Sequence, residues 1–133
     1  MAQLTEFRIA LTTHDYDRTL SFYRNVVGLS VLQEWPAQEG KGCLLSLPAA
    51  SLEILDNAHA AWVDMMEVGR RISGPVRLAL KLTDLNLPLH SAVTHGGQVV
   101  RAPTLTPWKD LNARVEGPDG KSPLNPTFWN GIL

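Results

Sequence analysis

The chain carries a weak internal repeat with an offset of 69 positions, and this repeat constrains the possible folds more than any other feature. Seven identical residues recur in register: Arg8/Arg77, Ala10/Ala79, Leu11/Leu80, Asp15/Asp84, Leu20/Leu89, Gly28/Gly97 and Val31/Val100. A repeat of this length is a whole supersecondary unit and not one turn of a solenoid. Two such units that face each other form one cleft, and we expect the paired Arg8 and Arg77 to line it.

Local sequence patterns predict the same order of elements in both halves. Alternating apolar residues predict strands, and apolar residues at helical spacing before a glycine predict a helix after the first strand of each half. The first half contains predicted strands at 7–13, 29–35, 43–47 and 51–55, with a helix that ends at Gly28. The second half contains predicted strands at 76–82, 98–102, 111–116 and 124–129, with a helix at 87–95. A linker helix is predicted over about 57–71, and its Met65 and Met66 are assigned to the core.

These patterns place the chain in the α+β class, as one domain of 133 residues. Two tandem βαβββ modules, at about 5–56 and 75–133, are joined by a linker of about 57–73. We expect a concave mixed sheet of about eight strands, with the helices on its convex side. In each half the helix should cover the apolar face of the first strand. The face that bears Arg8 and Arg77 is then left for a cleft.

The composition excludes several functional classes. Hydrophobic residues make up 44% of the chain and charged residues 19%, which is typical of a globular protein. A net charge of −1 gives no basic surface for nucleic acid. The sequence has no apolar run long enough to span a membrane and no signal peptide, so we expect a cytoplasmic protein. The single Cys43 cannot form an internal disulfide, and we assign it as a buried structural thiol.

The segment DYDRTLSFYRNVVGL, at 15–29, resembles a motif of the vicinal oxygen chelate superfamily. This family includes glyoxalase I, bleomycin-resistance proteins and extradiol dioxygenases, and its motif reads D-x-x-x-(T/S)-x-x-F-Y-x-x-x-L-G-L. The most specific part is the pair Phe22 and Tyr23 with Gly28 five positions later. The segment EGPDG at 116–120 is similar to the D-P-D-G turn of the family, with Gly117 as an extra residue.

The resemblance also implies where a divalent metal would bind: at one inward position on the first strand and one on the fourth strand of each half. In this sequence, Arg8 and Arg77 occupy the first-strand positions, and Glu53 occupies the fourth-strand position of the first half. The remaining position falls near Leu124 or Asn125. Arginine has no lone pair to donate to a cation, and the four histidines lack metal-ligand spacing. We therefore predict no metal and no other cofactor.

We expect Arg8, Glu53 and Arg77 to meet at the bottom of the cleft, and two interpretations of this cluster stay open. In the first, the guanidinium groups capture a carboxylate or phosphate of a ligand through forked hydrogen bonds. Alternatively, Glu53 bridges the two arginines in a buried structural ion network. Trp35 and Trp108 fall at corresponding rim positions, where large aromatic rings stack on planar ligands. Asn125 completes the predicted ligand-binding set, whereas Trp129 is assigned to packing.

The predicted function is that of a metal-independent small-molecule binding protein of the bleomycin-resistance type, and not of an enzyme. It would sequester a partly anionic organic ligand, as a homodimer, since the sheet leaves open strand edges. One alternative is a glyoxalase-like lyase, isomerase or dioxygenase that uses Glu53 as a general base. Another is a structural or regulatory module whose cleft is filled by its own side chains.

Overall fold

The computed structural model describes residues 2–118 and 126–131. The eight strands are β1 (Leu4–Thr13), β2 (Val31–Glu34), β3 (Gly42–Leu47), β4 (Ala50–Asp56), β5 (Val76–Leu82), β6 (Gln98–Leu105), β7 (Asp110–Glu116) and β8 (Thr127–Gly131). The helices are α1 (Tyr16–Ser21), which continues as a π-helical turn (Phe22–Val26), α2 (Asn57–Glu67) and α3 (Asn86–Thr94).

All eight strands form one mixed sheet in the order β2-β3-β4-β1-β5-β8-β7-β6. β1 pairs parallel with β4, and β5 pairs parallel with β8, while the central β1–β5 pair is antiparallel. Each half therefore contributes four adjacent strands in βαβββ order. The predicted α+β class and the eight-stranded sheet are confirmed.

The first strands of the two repeats, β1 and β5, pair with each other at the centre of the sheet. Arg8 lies opposite Ala79, and Ala10 lies opposite Arg77, so equivalent residues of the two halves are exchanged across the β1–β5 pair. This register places a pseudo-twofold axis between the two strands. Alternate residues of a strand point to opposite faces, so both arginines and both alanines lie on one face of the sheet.

The other face of the sheet carries two apolar cores, one in each half. The first consists of Cys43, Leu45, Leu52 and Ile54, and the helical segment packs Tyr16, Leu20 and Tyr23 against it. The second consists of Leu85, Leu89, Ala113 and Val115 with partly buried neighbours from α3 and the strands. The first helix and α3 thus cover the apolar face of their own strands, as the alternation predicts.

The two covering helices end differently. In the first half, the residue with the left-handed backbone that favours glycine is Gly28 (φ +86°). In the second half it is Gly96 (φ +92°), although the repeat aligns Gly28 with Gly97. The offset between these two glycines is 68, one less than that of the repeat. The π-helical turn explains the difference, because it adds a residue to the first helix. Gly97 is required for another reason, since a Cβ there would lie 2.9 Å from the Glu116 carbonyl oxygen.

The linker helix departs from the prediction in position and length. α2 ends at Glu67 and not at 71, and it packs against the same face of the sheet as the arginines. Its Ala60 forms a small buried cluster with Ala10 and Leu55. The prediction placed the helix of each module on the convex side and gave the linker helix no face, and α2 lies on the face that carries the arginines. The assignment of Met65 and Met66 to the core is wrong, because both side chains are exposed.

Other boundaries differ by a few residues. β6 continues to Leu105, three residues beyond the predicted end, and β8 reaches Gly131. Residues 124 and 125, where the last strand was predicted to begin, lie outside the described residues. Within the described ranges, none of the helices has the length and apolarity needed to cross a membrane.

Candidate functional site

A cavity of about 620 Å³ lies on the face of the sheet that bears the arginines. Its volume is within the range of typical small-molecule sites, so the cleft is not filled by the chain's own side chains, as one alternative required. Five of the six predicted ligand residues line it: Arg8, Glu53, Arg77, Trp35 and Trp108. The sixth, Asn125, lies outside the described residues.

The strand register identifies the residue that is equivalent to Glu53 in the second half. Glu53 lies beside Ala10 in the β1–β4 pair, and Thr127 lies beside Ala79 in the β5–β8 pair. Since Ala10 and Ala79 are equivalent, Thr127 is the counterpart of Glu53. The predicted position near Leu124 or Asn125 was thus at least two residues too early, and Thr127 lines the cavity.

Thr127 positions Arg77 by a hydrogen bond. Its Nη1 donates a hydrogen bond of 2.8 Å to Oγ1 of Thr127, which is itself 1% exposed. Burial, reinforced by the charge of the nearby Arg114, lowers the pKa of Arg77. A guanidinium stays charged at neutral pH even so. The positive charge of Arg77 is therefore poorly solvated. Among the described residues, its side-chain hydrogen-bond partner is the hydroxyl of Thr127 and not a carboxylate.

Arg8 has different partners. Its Nη2 donates a hydrogen bond of 2.7 Å to Oε2 of Glu6 on the same strand, and its guanidinium lies 5.3 Å from the ring centroid of Trp129. The buried Nε has no hydrogen-bond partner among the described residues. Glu53 does not bridge Arg8 and Arg77, so the structural ion network proposed from the sequence is not what the fold contains.

Glu53 lines the cavity with its carboxylate unpaired among the described residues. Only 8% of the residue is exposed, and it lines the cavity. Its carboxylate makes no hydrogen bond or ion pair with any residue of the described ranges 2–118 and 126–131. The carboxylate oxygens open into the cavity. A molecule that displaces water from them must supply a charge or a hydrogen-bond donor in its place.

All four tryptophans of the chain line this single cavity: Trp35, Trp62, Trp108 and Trp129. The rings of Trp62 and Trp108 are in tilted contact, with centroids 5.4 Å apart. Trp129, which was assigned to packing, contacts the cavity and also faces Lys81, whose Nζ is 4.9 Å from its ring centroid. The indole nitrogens of Trp35 and Trp129 are buried without a hydrogen-bond partner among the described residues.

Two residues position the aromatic and polar wall at the start of α2. Asp56 caps the helix by accepting a 2.8 Å hydrogen bond from the backbone N–H of His59, and it also accepts one from the N–H of Lys41. His59 lines the cavity, and its Nδ1 donates to the carbonyl oxygen of Glu39 at 3.0 Å. The role of His59 in the cavity wall was not predicted from the sequence. An aspartate three residues before it, at a strand end, was the available signal for this cap.

A buried charge network fixes the other end of α2. Arg114 on β7 donates from Nε to Glu67 at 2.6 Å and from Nη2 to Asp64 at 2.9 Å, and Asn112 donates to Glu67 at 2.9 Å. Burial would raise the pKa of Asp64, but hydrogen bonds from Ser73, Ile72 and Arg71 outweigh it and hold that pKa well below its usual range. Sequence reasoning missed this network, since its members are far apart in the chain.

Asp110 is the remaining ionisable group with a shifted pKa in the cavity wall. Burial raises the pKa of its carboxyl group, and the positive charges of Lys81 and Arg8 oppose that shift. Asp110 lines the cavity beside the turn that carries Trp108. The second half of the chain thus contributes both negative and positive groups to the wall.

The four positions that hold a metal in related folds do not fit a divalent cation here. They are occupied by Arg8, Glu53, Arg77 and Thr127. Two guanidinium groups offer no lone pair and repel a cation. In the part of the chain that the structure describes, no three His, Cys, Asp or Glu side chains form a group that could hold a metal ion.

The fold and cavity define a two-module βαβββ protein with one ligand-sized cleft. The sequence profile of the Glyoxalase/Bleomycin resistance protein/Dioxygenase superfamily matches residues 7–121. The chain therefore belongs to this superfamily, which confirms the resemblance. A comparison with proteins of curated function gave no match.

Solved structures with the same fold share little sequence with this chain. A hypothetical protein from Bacillus halodurans C-125 has 16% identity and a TM-score of 0.68, over 99% of this chain and 96% of that protein. A variant of methylmalonyl-CoA epimerase from Streptomyces coelicolor, in complex with 2-nitronate-propionyl-CoA, has 17% identity and a TM-score of 0.67, over 98% and 100%. A superfamily member from Vibrio splendidus 12B01 has 15% identity and a TM-score of 0.61, over 96% and 99%. At these identities the likeness concerns the fold alone.

Proposed function

We propose that the chain binds a partly anionic organic small molecule in this cavity without a metal ion. The observation that carries the proposal is the meeting of Arg8 and Arg77 with four tryptophans around one space of about 620 Å³. Guanidinium groups bind carboxylates and phosphates through forked hydrogen bonds, and they do so most strongly where water is excluded. The indole rings supply broad apolar surface for the body of the ligand.

The position of the tryptophans provides a direct test of this proposal. Since every tryptophan of the chain lines the cavity, ligand entry should change the intrinsic fluorescence of the protein. We suggest a titration panel of aromatic carboxylates and phosphates, each matched with its neutral amide or ester. We expect the anions to cause saturable fluorescence changes and their neutral partners to cause weaker ones. Addition of EDTA should not change the fluorescence.

The same panel identifies the results that oppose the proposal. Equal affinity for anions and their neutral partners would contradict a role for the arginines in anion capture. A tightly bound equimolar metal in the purified protein, together with loss of binding after its removal, would contradict the metal-independent mechanism. Elemental analysis of the purified protein settles the second point.

A second candidate function is favoured by Glu53. A carboxylate that is 8% exposed, faces the cavity and has no partner among the described residues is suitably placed to accept a proton from a bound substrate. This candidate is a lyase, isomerase or dioxygenase of the glyoxalase class. One test is to incubate methylmalonyl-CoA, the substrate class of one structural neighbour, with the protein in D₂O. Deuterium exchange that Glu53→Gln abolishes would favour the enzyme, and its absence is the result we expect.

We also propose that the chain forms a homodimer. The edge strands β2 and β6 leave unpaired backbone groups, and each carries an exposed leucine, Leu32 and Leu105. Open edges of this kind are suited to pairing with a second chain. Sedimentation velocity should give a mass of about twice 14.6 kDa. A monomer at high micromolar concentration contradicts the proposal.

A further inference from the structure

The charges around the cavity are of both signs, which constrains its ligand further. Besides the two guanidinium groups, the described wall carries four carboxylates: Glu39, Glu53, Glu67 and Asp110. Glu67 is paired with Arg114, whereas Glu53 has no partner among the described residues. A purely anionic ligand would satisfy the arginines, but it would displace water from the carboxylate of Glu53 without supplying a partner for it.

The pseudo-twofold axis shows why Glu53 makes no ion pair with the described arginines of the cavity. The hydrogen bond from Arg77 to Thr127 in the second half corresponds to a bond from Arg8 to Glu53 in the first half. That second bond is not formed, because Arg8 donates to Glu6 and lies over Trp129. The arrangement gives the two halves different chemistry: an available guanidinium at Arg77 and an available carboxylate at Glu53.

Both groups point into the same space from opposite sides of one small residue. Glu53 on β4 and Arg77 on β5 each lie beside Ala10 on β1, one strand away on either side. Adjacent strands are about 4.8 Å apart, so the two backbone positions are separated by roughly 10 Å. Ala10 itself is covered by Ala60 of α2, and Arg77 turns toward Thr127 on β8. The carboxylate and the guanidinium therefore line one cavity without meeting each other, and a bound molecule that carries both charges can pair with each of them.

The aromatic wall supports a cationic group on the Glu53 side. Among the described residues, Trp129 already has two cations over its ring, Arg8 and Lys81, but Trp35, Trp62 and Trp108 have none. Tryptophan is the aromatic side chain that attracts ammonium groups most strongly. A carboxylate without a hydrogen-bond partner among the described residues, in a cavity walled by indole rings that hold no cation, is a favourable environment for an alkylammonium group.

We propose that the cavity recognises a zwitterion of the amino-carboxylate class, with its carboxylate on Arg77, its ammonium on Glu53 and an aromatic or apolar body between the tryptophans. This inference rests on the proposed function, since it names the ligand class of the same site. It predicts that removing either charge from the ligand weakens binding, and that each loss depends on a different residue.

Three compounds with one common body test this proposal: phenylalanine, which has both charges, 3-phenylpropionate, which lacks the ammonium group, and phenethylamine, which lacks the carboxylate. Calorimetric titration should show that phenylalanine binds at least about tenfold more tightly than either relative, since each buried charge pair contributes that much or more. Glu53→Gln should abolish the preference for phenylalanine over 3-phenylpropionate, and it should not weaken the binding of 3-phenylpropionate, because no unpaired carboxylate then remains beside that ligand.

A matched control separates this effect from a general loss of negative charge. Glu34→Gln makes the same substitution at an exposed position of β2 outside the cavity wall, and it should preserve the preference of the wild type. Thermal unfolding of both variants checks that each is folded. If Glu53→Gln does not fold, Glu53→Asp, which withdraws the carboxylate by one methylene, should reduce the preference in the same direction.

The outcomes distinguish this inference from the proposed function. If 3-phenylpropionate binds as tightly as phenylalanine, the zwitterion proposal is overturned while anion binding stands. If none of the three binds at millimolar concentration, the amino-carboxylate class is excluded, and the wider panel of anions decides the proposed function separately. If phenylalanine is preferred but Glu53→Gln retains that preference, the assignment of Glu53 is overturned.

Discussion

Arg8 and Arg77 lie diagonally across the central β1–β5 pair, with Ala79 opposite the first and Ala10 opposite the second. In antiparallel sheets such diagonal neighbours are about 7–8 Å apart on one face. Ala79 lines the cavity, whereas Ala10 is covered by Ala60 of α2, and the two arginines occupy symmetric positions beside these alanines. Their partners are not symmetric, however, because Arg8 pairs with Glu6 and Arg77 with Thr127. The two halves of the repeat therefore have the same arginine at equivalent positions but with different hydrogen-bond partners.

Replacement of Arg77 should separate ligand binding from folding. We expect Arg77→Met to weaken the binding of 3-phenylpropionate by about 2–5 kcal/mol, because a buried charge partner is removed. Thr127→Val removes the hydrogen bond and keeps the charge, so its effect should be smaller, about 0.5–1.5 kcal/mol. Tryptophan fluorescence titration measures both variants. Unchanged affinity in Arg77→Met, combined with a lower free energy of unfolding, would assign Arg77 a structural role.

The central part of this architecture could be predicted from the sequence because it is repeated. Period-two alternation around Arg8 and again around Arg77 fixed which face each residue occupies. The two equivalent strands then had to meet at a common centre. Glu53 could be located from the resemblance to the superfamily, which implies a ligand position on the fourth strand of the first half. Its counterpart Thr127 could not be located from the sequence. Thr127 lies 74 positions after Glu53, whereas the repeat offset is 69, because the second module contains five additional residues before this point.

The remaining features had no repeated or local signal. α2 has no equivalent in the other half of the repeat, and its residue pattern does not indicate which face of the sheet it covers. Its Ala60 packs on the cleft face while Met65 and Met66 stay exposed. The pairing of Asp64 with Arg114 joins positions 50 residues apart. A charge in a sequence does not reveal a partner at that distance, since only the tertiary fold brings the two together.

The Arg114 network should contribute strongly to stability. Arg114→Met would leave Asp64 and Glu67 buried without their main cation, and breaking one side of a buried pair costs about 3–5 kcal/mol. Urea unfolding followed by circular dichroism measures this loss. Arg71→Met is the matched control, because the Arg71 side chain is 38% exposed and also pairs with Asp64. For this more exposed pair we expect a loss of at most about 1 kcal/mol. Equal losses in the two variants would contradict the central position of Arg114.

The same network predicts how stability depends on acid. The pKa of Asp64 is lower in the folded protein than the value of about 3.9 that an aspartate has in an unfolded chain. The ionised carboxylate therefore stabilises the fold at any pH above the unfolded value, and this contribution is lost as the pH falls toward the folded-state value. We expect Asp64→Asn to be less stable than wild type at pH 7, with a difference that narrows progressively below about pH 4. A difference that stays constant from pH 7 to pH 2 contradicts this account.

Cys43 should be chemically silent in the native protein. Burial raises the pKa of its thiol, and hydrogen bonds with Tyr16 and the backbone of Ile54 oppose that shift only in part. The residue is 0% exposed, and the thiolate is the reactive form of cysteine. Reaction with a chromogenic disulfide reagent at pH 8 should be slow in buffer and rapid in urea. A fast native reaction would show that the thiol is accessible and would contradict its structural assignment.

Gly42 should control the position of Trp35, and therefore the shape of the cavity. A Cβ at Gly42 would overlap the indole ring of Trp35, so Gly42→Ala forces the ring to move. We expect a red-shifted emission spectrum and weaker binding of aromatic anions, because the ring leaves its buried site. Gly131→Ala is the matched control, since a Cβ there meets its nearest atoms, on Asp110 and Lys81, at 3.7 Å, which is ordinary van der Waals contact. If both variants shift the emission spectrum equally, the effect is not specific to Trp35.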